Sequence, residues 1–248
     1  MSSATTRERG LSGQTVVVIG ASAGIGLETA RRARAEGAKL ILTARNPDRL
    51  QRSANELEAL STAAFDATNP TSLEQFFRDV PATIDHVMVT AGRPHYGRLL
   101  DLDAEQARAA LDSHLLFALQ VARNASPRMN PGGTLLFMSG TAGRRPGFGL
   151  GIVSTLSAAL PALVANLAIE LAPIRVNLIA AGFVDTPLSA SLLGDELDNR
   201  RNQLRATLPI RRVVQPADVA ALAVHIMINT ALTGATYDID GGQQLIAR

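Results

Sequence analysis

The chain has 248 residues, 46% of them apolar, with a formal net charge of +2. It contains no cysteine, which excludes disulfides, thiolate catalysis and cysteine–metal sites and makes a reducing cytoplasm the expected compartment. Arginine pairs at Arg31-Arg32, Arg144-Arg145, Arg200-Arg201 and Arg211-Arg212 are scattered and aromatics are scarce, a pattern of solvated surface charge and not of a nucleic-acid groove.

Residues 1–10 are polar and read as a frayed tail, not a signal peptide, ahead of a single domain over residues 11–248. Val16 to Ile19 is a β-branched run with the character of a strand buried on both faces. From Leu27 the pattern turns helical, so the intervening Gly20-Ala-Ser-Ala-Gly-Ile-Gly26 carries a strand sharply into a helix. A helix N-terminus offers unpaired N–H groups and a positive dipole end, and glycines let a phosphate approach closely. This stretch is therefore expected to seat a pyrophosphate, although glycine also serves tight turns for purely structural reasons.

The alternation continues. Leu40 to Thr43 is a second strand, and Pro47 to Leu60 a helix with Asn46 as its cap. Ala63 to Phe65 is a short third strand ending at Asp66, followed by a helix over Thr71 to Asp79. Ile84 to Val89 is the fourth strand. A long helix runs over Asp103 to Asn124, with Leu111, Leu115, Leu119 and Ala122 as its inner stripe. Pro131-Gly132-Gly133 reads as a turn before the fifth strand, Thr134 to Met138, and Leu150 to Leu171 as a helix. Pro146 to Ile169 is uncharged and long enough to span a bilayer, but its Pro, Ser, Thr, Asn and Gly content favours a buried or subunit-facing helix and no membrane. Pro161 inside it predicts a kink or a late start, because proline lacks an N–H and crowds the carbonyl of Ser157. Ile174 to Ala180 is a sixth strand, and polar Leu188 to Leu208 an excursion suited to a substrate lid. A helix over Pro216 to Ile228 and a strand over Ala235 to Ile239 close the chain. Such alternation implies a parallel seven-stranded sheet with helices on both faces. The histidines, His86, His95, His114 and His225, lack paired ligand spacing, so no metal is expected.

Several pieces then occur in one family's order. Gly20 to Gly26 is followed by Asp66 after the third strand and by Thr90-Ala91-Gly92 after the fourth. Asn177 and Ala181-Gly182-Phe183-Val184-Asp185-Thr186 come next, then Asp240-Gly241-Gly242. Together they resemble the short-chain dehydrogenase/reductase family over almost the whole chain, with Thr90 for the family's asparagine and Ala181 for its proline. The resemblance implies a doubly wound Rossmann-type α/β fold and a nicotinamide cofactor. It places that cofactor on Gly20, Ser22, Ala23, Gly24, Ile25 and Gly26, on Asp66 and Ala67 at the adenine, on Ala91 and Gly92, and on Gly182, Val184 and Thr186 at the nicotinamide end. Arg45 and Asn46 end the second strand where NAD enzymes carry an acid, so NADP(H) is favoured over NAD(H). The helices near 103–124 and 150–171 resemble the family's packing helices and imply a homodimer or homotetramer.

The same resemblance exposes a departure. Family members carry a serine after strand five, a tyrosine and lysine spaced Tyr-x-x-x-Lys, and an asparagine on the preceding helix. Here those positions hold Gly140, Val153, Ser157 and His114. The single lysine is Lys39, and the tyrosines are Tyr96 and Tyr237, so no register restores the pair. His114, Ser139 and Tyr96 are the candidate substitutes, with Ser139 expected to face away from the site by strand alternation. The expectation is an oxidoreductase with a remodelled site, transferring hydride to or from a small carbonyl, enone or imine. The alternative is a non-catalytic NADP(H)-binding sensor or partner subunit.

Overall fold

The computed structural model describes residues 10–145 and 147–246; apart from Gly10, the expected tail lies outside them. The strands are β1 (Thr15–Ile19), β2 (Lys39–Ala44), β3 (Ser61–Ala64), β4 (Ile84–Val89), β5 (Met129–Gly140), β6 (Arg175–Ala181) and β7 (Thr236–Ile239). They form one parallel sheet in the order β3-β2-β1-β4-β5-β6-β7. Between β1 and β4 the winding reverses, which opens a crevice beyond the carboxyl ends of those two strands. The helices are α1 (Gly24–Ala35), α2 (Pro47–Leu57), α3 (Pro70–Asp79), α4 (Ala104–Leu111), α5 (Phe117–Ala125), α6 (Gly151–Glu170), α7 (Pro187–Leu193), α8 (Leu197–Thr207) and α9 (Pro216–Ile228).

The β-branched run of β1 is buried throughout, and its pleat divides the interior. Val17 and Ile19 join one apolar cluster with residues of α3, α5 and α6, whereas Val16 and Val18 join the other with residues of α1, α2 and α9. Helices thus cover both faces, which is what a parallel sheet with apolar strands requires.

Several expectations shift. The first helix begins at Gly24, three residues before Leu27, because Gly24 and Gly26 form its first turn. The second stops at Leu57, where Glu58 turns left-handed at φ 49° and returns its N–H to Ala54 O. Asn46 caps that helix as expected, accepting from Arg49 N at 2.8 Å. The long helix is interrupted by a π-helical turn over Asp112–Leu116. Its wider turn breaks the 3.6-residue projection, so Leu111 and Leu119 are 41% and 46% exposed and do not form the inner stripe. Ala122 is buried and Leu115 packs on the core as expected, and Ala110, Phe117, Ala118 and Val121 complete the buried face. The expected turn at Pro131–Gly133 lies inside β5, as an irregularity in the β4–β5 register. A Cβ on Gly133 would stand 2.3 Å from Asp85 O, so only glycine lets the strands approach. Helix α6 starts at Gly151 and runs continuously through Pro161 to Glu170, so the expected late start does not occur. By length and composition it is apolar enough to cross a membrane, but Leu160, Val164 and Leu167 pack it into the core over the sheet.

His86 on β4 carries a pH consequence. It is 4% exposed, its Nε2 donates to Gln14 Oε1 at 2.6 Å, and its Nδ1 is buried without a partner among the described residues. Burial first, and then the Arg175 charge, push its pKa from 6.5 to about 4. The folded state therefore binds fewer protons than the unfolded chain as pH falls from 6.5 toward 4. Stability contributed by the neutral ring is complete above 6.5 and is lost across that window, by roughly 3 kcal/mol in all. Urea unfolding at pH 7 and pH 4.5 should show this loss, and His86→Gln should flatten it.

Candidate cofactor and active site

The glycine turn sits at the crevice, and its glycines have different tasks. Gly20 has φ 98°, and a Cβ there would lie 2.7 Å from Thr90 Oγ1 and 2.9 Å from Ala91 N. A Cβ on Gly26 would lie 2.2 Å from Gly20 O. These two residues close the turn. Gly24, at φ 55°, has no neighbour nearer than 3.5 Å to an added Cβ, the closest being Thr186. No side chain caps α1 at Ala23, so its first-turn N–H groups face the crevice without a side-chain acceptor. That cradle fits a pyrophosphate. Thr90, in the family's asparagine position, ties β4 to the turn by donating to Ile19 O and Gly20 O at 3.0 and 3.1 Å.

Beyond the turn, β2 delivers Arg45 to an exposed position that has no ion pair among the described residues. Asp66 follows β3. Its carboxylate accepts from Thr68 N and Oγ1 at 3.0 and 2.8 Å. Those hydrogen bonds, and the Arg45 charge to a lesser degree, hold it below the usual carboxylate range. Asn46 has its side-chain oxygen committed to the α2 cap, and Ala67 is buried. Ser22, Arg45, Asn46, Asp66 and Ala67 do not line the main cavity; the other expected cofactor residues do.

That cavity, of about 960 Å³, runs from the glycine turn across the ends of β4, β5 and β6. Gly20, Ala23, Gly24, Ile25 and Gly26 form one end, and Ala91, Gly92, Gly182, Val184 and Thr186 the wall beside it. Thr186 also caps α7, accepting from Ser189 N at 3.1 Å. The far wall has no motif that marks it in the sequence. It is made by Leu188, Leu192 and Leu193 of α7, by Arg200, Gln203 and Leu204 of α8, and by Arg145, Gln243 and Ile246. The polar excursion thus covers the cavity with its sparse apolar residues, which a count of its charges conceals. Arg201 holds α8 to the β6 loop through Asp185, at 3.0 and 2.7 Å. No aspartate or glutamate lines the cavity among the described residues.

His114, Gly140, Val153 and Ser157 all border this space, so positions distant in sequence converge. A Cβ on Gly140 would be 3.8 Å from both Ser157 Oγ and Ala181 O, leaving room for a serine. Val153 and Ser157 are 7% and 8% exposed. Ser139 lines the cavity beside Gly140, contrary to the expectation from alternation, because the cavity opens over the end of β5. Tyr96 also lines it but is 57% exposed. His114 lies on the π turn, its Nδ1 3.1 Å from Ala110 O and its ring centroid 6.0 Å from that of His95. Burial is the largest influence on its pKa and lowers it; the Ala110 bond opposes this and the His95 charge adds to it. Among the described residues no cluster of acidic or histidine side chains could hold a metal.

A doubly wound sheet with a glycine cradle at its switch point defines a nucleotide-binding α/β protein. Residues 20–244 match the family described as enoyl-(acyl carrier protein) reductase. The chain belongs to the short-chain dehydrogenase/reductase family of oxidoreductases. It is 29% identical to the short-chain dehydrogenase/reductase ATR9 of Stachybotrys chlorohalonatus, over 94% of this chain and 97% of that protein. A small-chain dehydrogenase solved in complex with NADPH superposes with a TM-score of 0.80 at 26% identity, covering 94% of this chain and 99% of that one. A short-chain dehydrogenase from Burkholderia cenocepacia in complex with NADP gives a TM-score of 0.83 at 26% identity, covering 93% and 98%.

Proposed function

We propose that this chain is an NADP(H)-dependent oxidoreductase with a remodelled active site, acting on a small carbonyl, enone or imine. The observation that carries the cofactor choice is Arg45, exposed at the end of β2 where a carboxylate would select NAD. In this reading Gly20 to Gly26, including Ser22, hold the pyrophosphate, Arg45 and Asn46 the 2′-phosphate, and Asp66 and Ala67 the adenine. Ala91, Gly92, Gly182, Val184 and Thr186 hold the nicotinamide end. The relatives solved with NADPH and NADP support it. When bound, the nicotinamide supplies the hydride. The protein orients the substrate in a mostly apolar cavity and excludes water from it.

Calorimetric titration should show tighter binding of NADPH than of NADH. Arg45→Glu should weaken NADPH by about 10–100-fold, through loss of a charge-assisted contact and gain of a repulsive one, and leave NADH little changed. Equal affinities in the parent protein would overturn the preference.

A non-catalytic sensor or partner subunit is the second reading, favoured by replacement of all four family positions. The combined variant His114→Asn, Gly140→Ser, Val153→Tyr, Ser157→Lys tests it. Restored acid–base and oxyanion groups should raise ketone reduction by about 10²–10⁴-fold. Turnover confined to that variant would favour the non-catalytic reading. Exposed Leu111, Leu116, Leu119 and Ile169 on α4 to α6 support assembly into a homodimer or homotetramer, which light scattering checks.

A further inference from the structure

We propose that Nε2 of His114 exchanges the substrate's proton in this cavity in place of the missing tyrosine, with His95 as its positioning partner. The inference rests on the oxidoreductase reading above. His114 is the histidine that borders the cavity among the described residues. Nδ1 lies 3.1 Å from Ala110 O, which only accepts, and 3.2 Å from Ser113 Oγ, whose hydrogen goes to that same carbonyl at 3.3 Å, so Nδ1 carries the hydrogen of the neutral ring. The lone pair therefore resides on Nε2. The π turn that carries His114 widens the backbone at the family's asparagine position, and such turns recur at functional sites.

His95, in the loop after β4, does not line the cavity; its ring meets that of His114 edge-on, at 61° and 6.0 Å between centroids. Its Nδ1 is buried with no partner among the described residues. Two imidazoles thus meet edge-on beside the cavity, and one of their nitrogens is buried without a partner among the described residues. Burial and the His95 charge both disfavour the imidazolium of His114. Arg93, Arg145 and Tyr96 share the cavity wall, no carboxylate does, and Asp112 on the same π turn is exposed. Only the Ala110 carbonyl favours the imidazolium, and no carboxylate fixes it there among the described residues, so the ring rests neutral and is poised as a base. In alcohol oxidation the hydroxyl proton passes to Nε2 while the carbinol C–H departs as hydride to the oxidised nicotinamide. The C=O bond forms, and the imidazolium then releases its proton to solvent. Ketone reduction is the reverse, and a preformed iminium needs the hydride alone.

The test compares 1-tetralol oxidation with NADP⁺ and reduction of N-methyl-3,4-dihydroisoquinolinium with NADPH, in the full chain and in His114→Gln. Tetralol oxidation should fall about 100-fold, with iminium reduction and NADPH affinity unchanged. In ¹⁵N spectra His114 should be the Nδ1–H tautomer, and His95→Asn should raise both its titration midpoint and the acid limb of the tetralol pH profile. Loss of both reactions alike, loss of neither, or an Nε2–H tautomer would overturn the proton role alone. If NADPH binds and the full chain turns over neither probe, the oxidoreductase reading fails, and the proton role with it.

Discussion

Gly26→Ala is expected to eliminate NADPH binding and to lower the unfolding free energy by about 3 kcal/mol. The added methyl would stand 2.2 Å from Gly20 O and 2.5 Å from Thr90 Oγ1. One obstacle is backbone, and the other is a hydroxyl held by two hydrogen bonds at the end of β1. Relief requires α1 to move away from the turn, which displaces the N–H groups that form the anion seat. Gly24→Ala is the informative control. It meets nothing nearer than 3.5 Å and suffers only from its φ of 55°, so its stability cost should be about 1 kcal/mol. Urea unfolding and calorimetric NADPH titration measure both variants. Retained nanomolar-to-micromolar binding in Gly26→Ala would mean that the turn adapts without carrying the site with it.

Arg175→Met should cost about 3–5 kcal/mol without touching the cavity. Arg175 begins β6, is 6% exposed, and has no carboxylate among its hydrogen-bond partners. Its Nε donates to Gly132 O at 3.1 Å, Nη1 to the carbonyls of Ile226, Asn229 and Leu232 at 2.8, 3.0 and 3.2 Å, and Nη2 to Met227 O at 2.7 Å. Most of these carbonyls lie at or just past the C-terminus of α9, the negative end of its dipole. The guanidinium therefore caps that helix from the sheet. Burial lowers its pKa, yet an arginine stays charged. Methionine fills part of the volume and leaves buried acceptors unpaired. Lysine keeps the charge but brings three donors on one atom, so Arg175→Lys should recover only part of the loss. A loss below about 1 kcal/mol in Arg175→Met would show that solvent reaches those carbonyls.

The two variants separate what the chain uses glycine and arginine for. Gly26 binds fold and site into one requirement, because the same turn closes the sheet crevice and presents the anion seat. Arg175 concerns the fold alone. A large effect of Arg175→Met on cofactor affinity, beyond that expected from lost folded protein, would contradict this division.

The architecture is legible in the residue pattern alone. Apolar runs of strand length alternate with helical periodicity, and short polar connections leave a parallel sheet covered on both faces as the arrangement that buries them all. Boundaries marked by local chemistry were legible for the same reason. Asn46-Pro47 and Pro216 start helices at the expected residues because capping is a local interaction, and Ile84 to Val89 is the strand it reads as. The loss of Tyr-x-x-x-Lys is also a property of the sequence alone, since a chain with one lysine in the second strand cannot supply it. The rest depends on contacts between distant elements. A π turn cannot be seen in a 3.6-residue projection, so the inner face of the 104–125 helices and the setting of His114 emerged only with the backbone. The cap that holds α9 comes from β6, some fifty residues away, and no local pattern announces it. Four of the leucines that wall the cavity, Leu188, Leu192, Leu193 and Leu204, sit in the polar excursion, and His95 meets His114 across a loop and a helix. Periodicity reports which residues are buried; which ones face each other depends on where the sheet's switch point brings distant elements together.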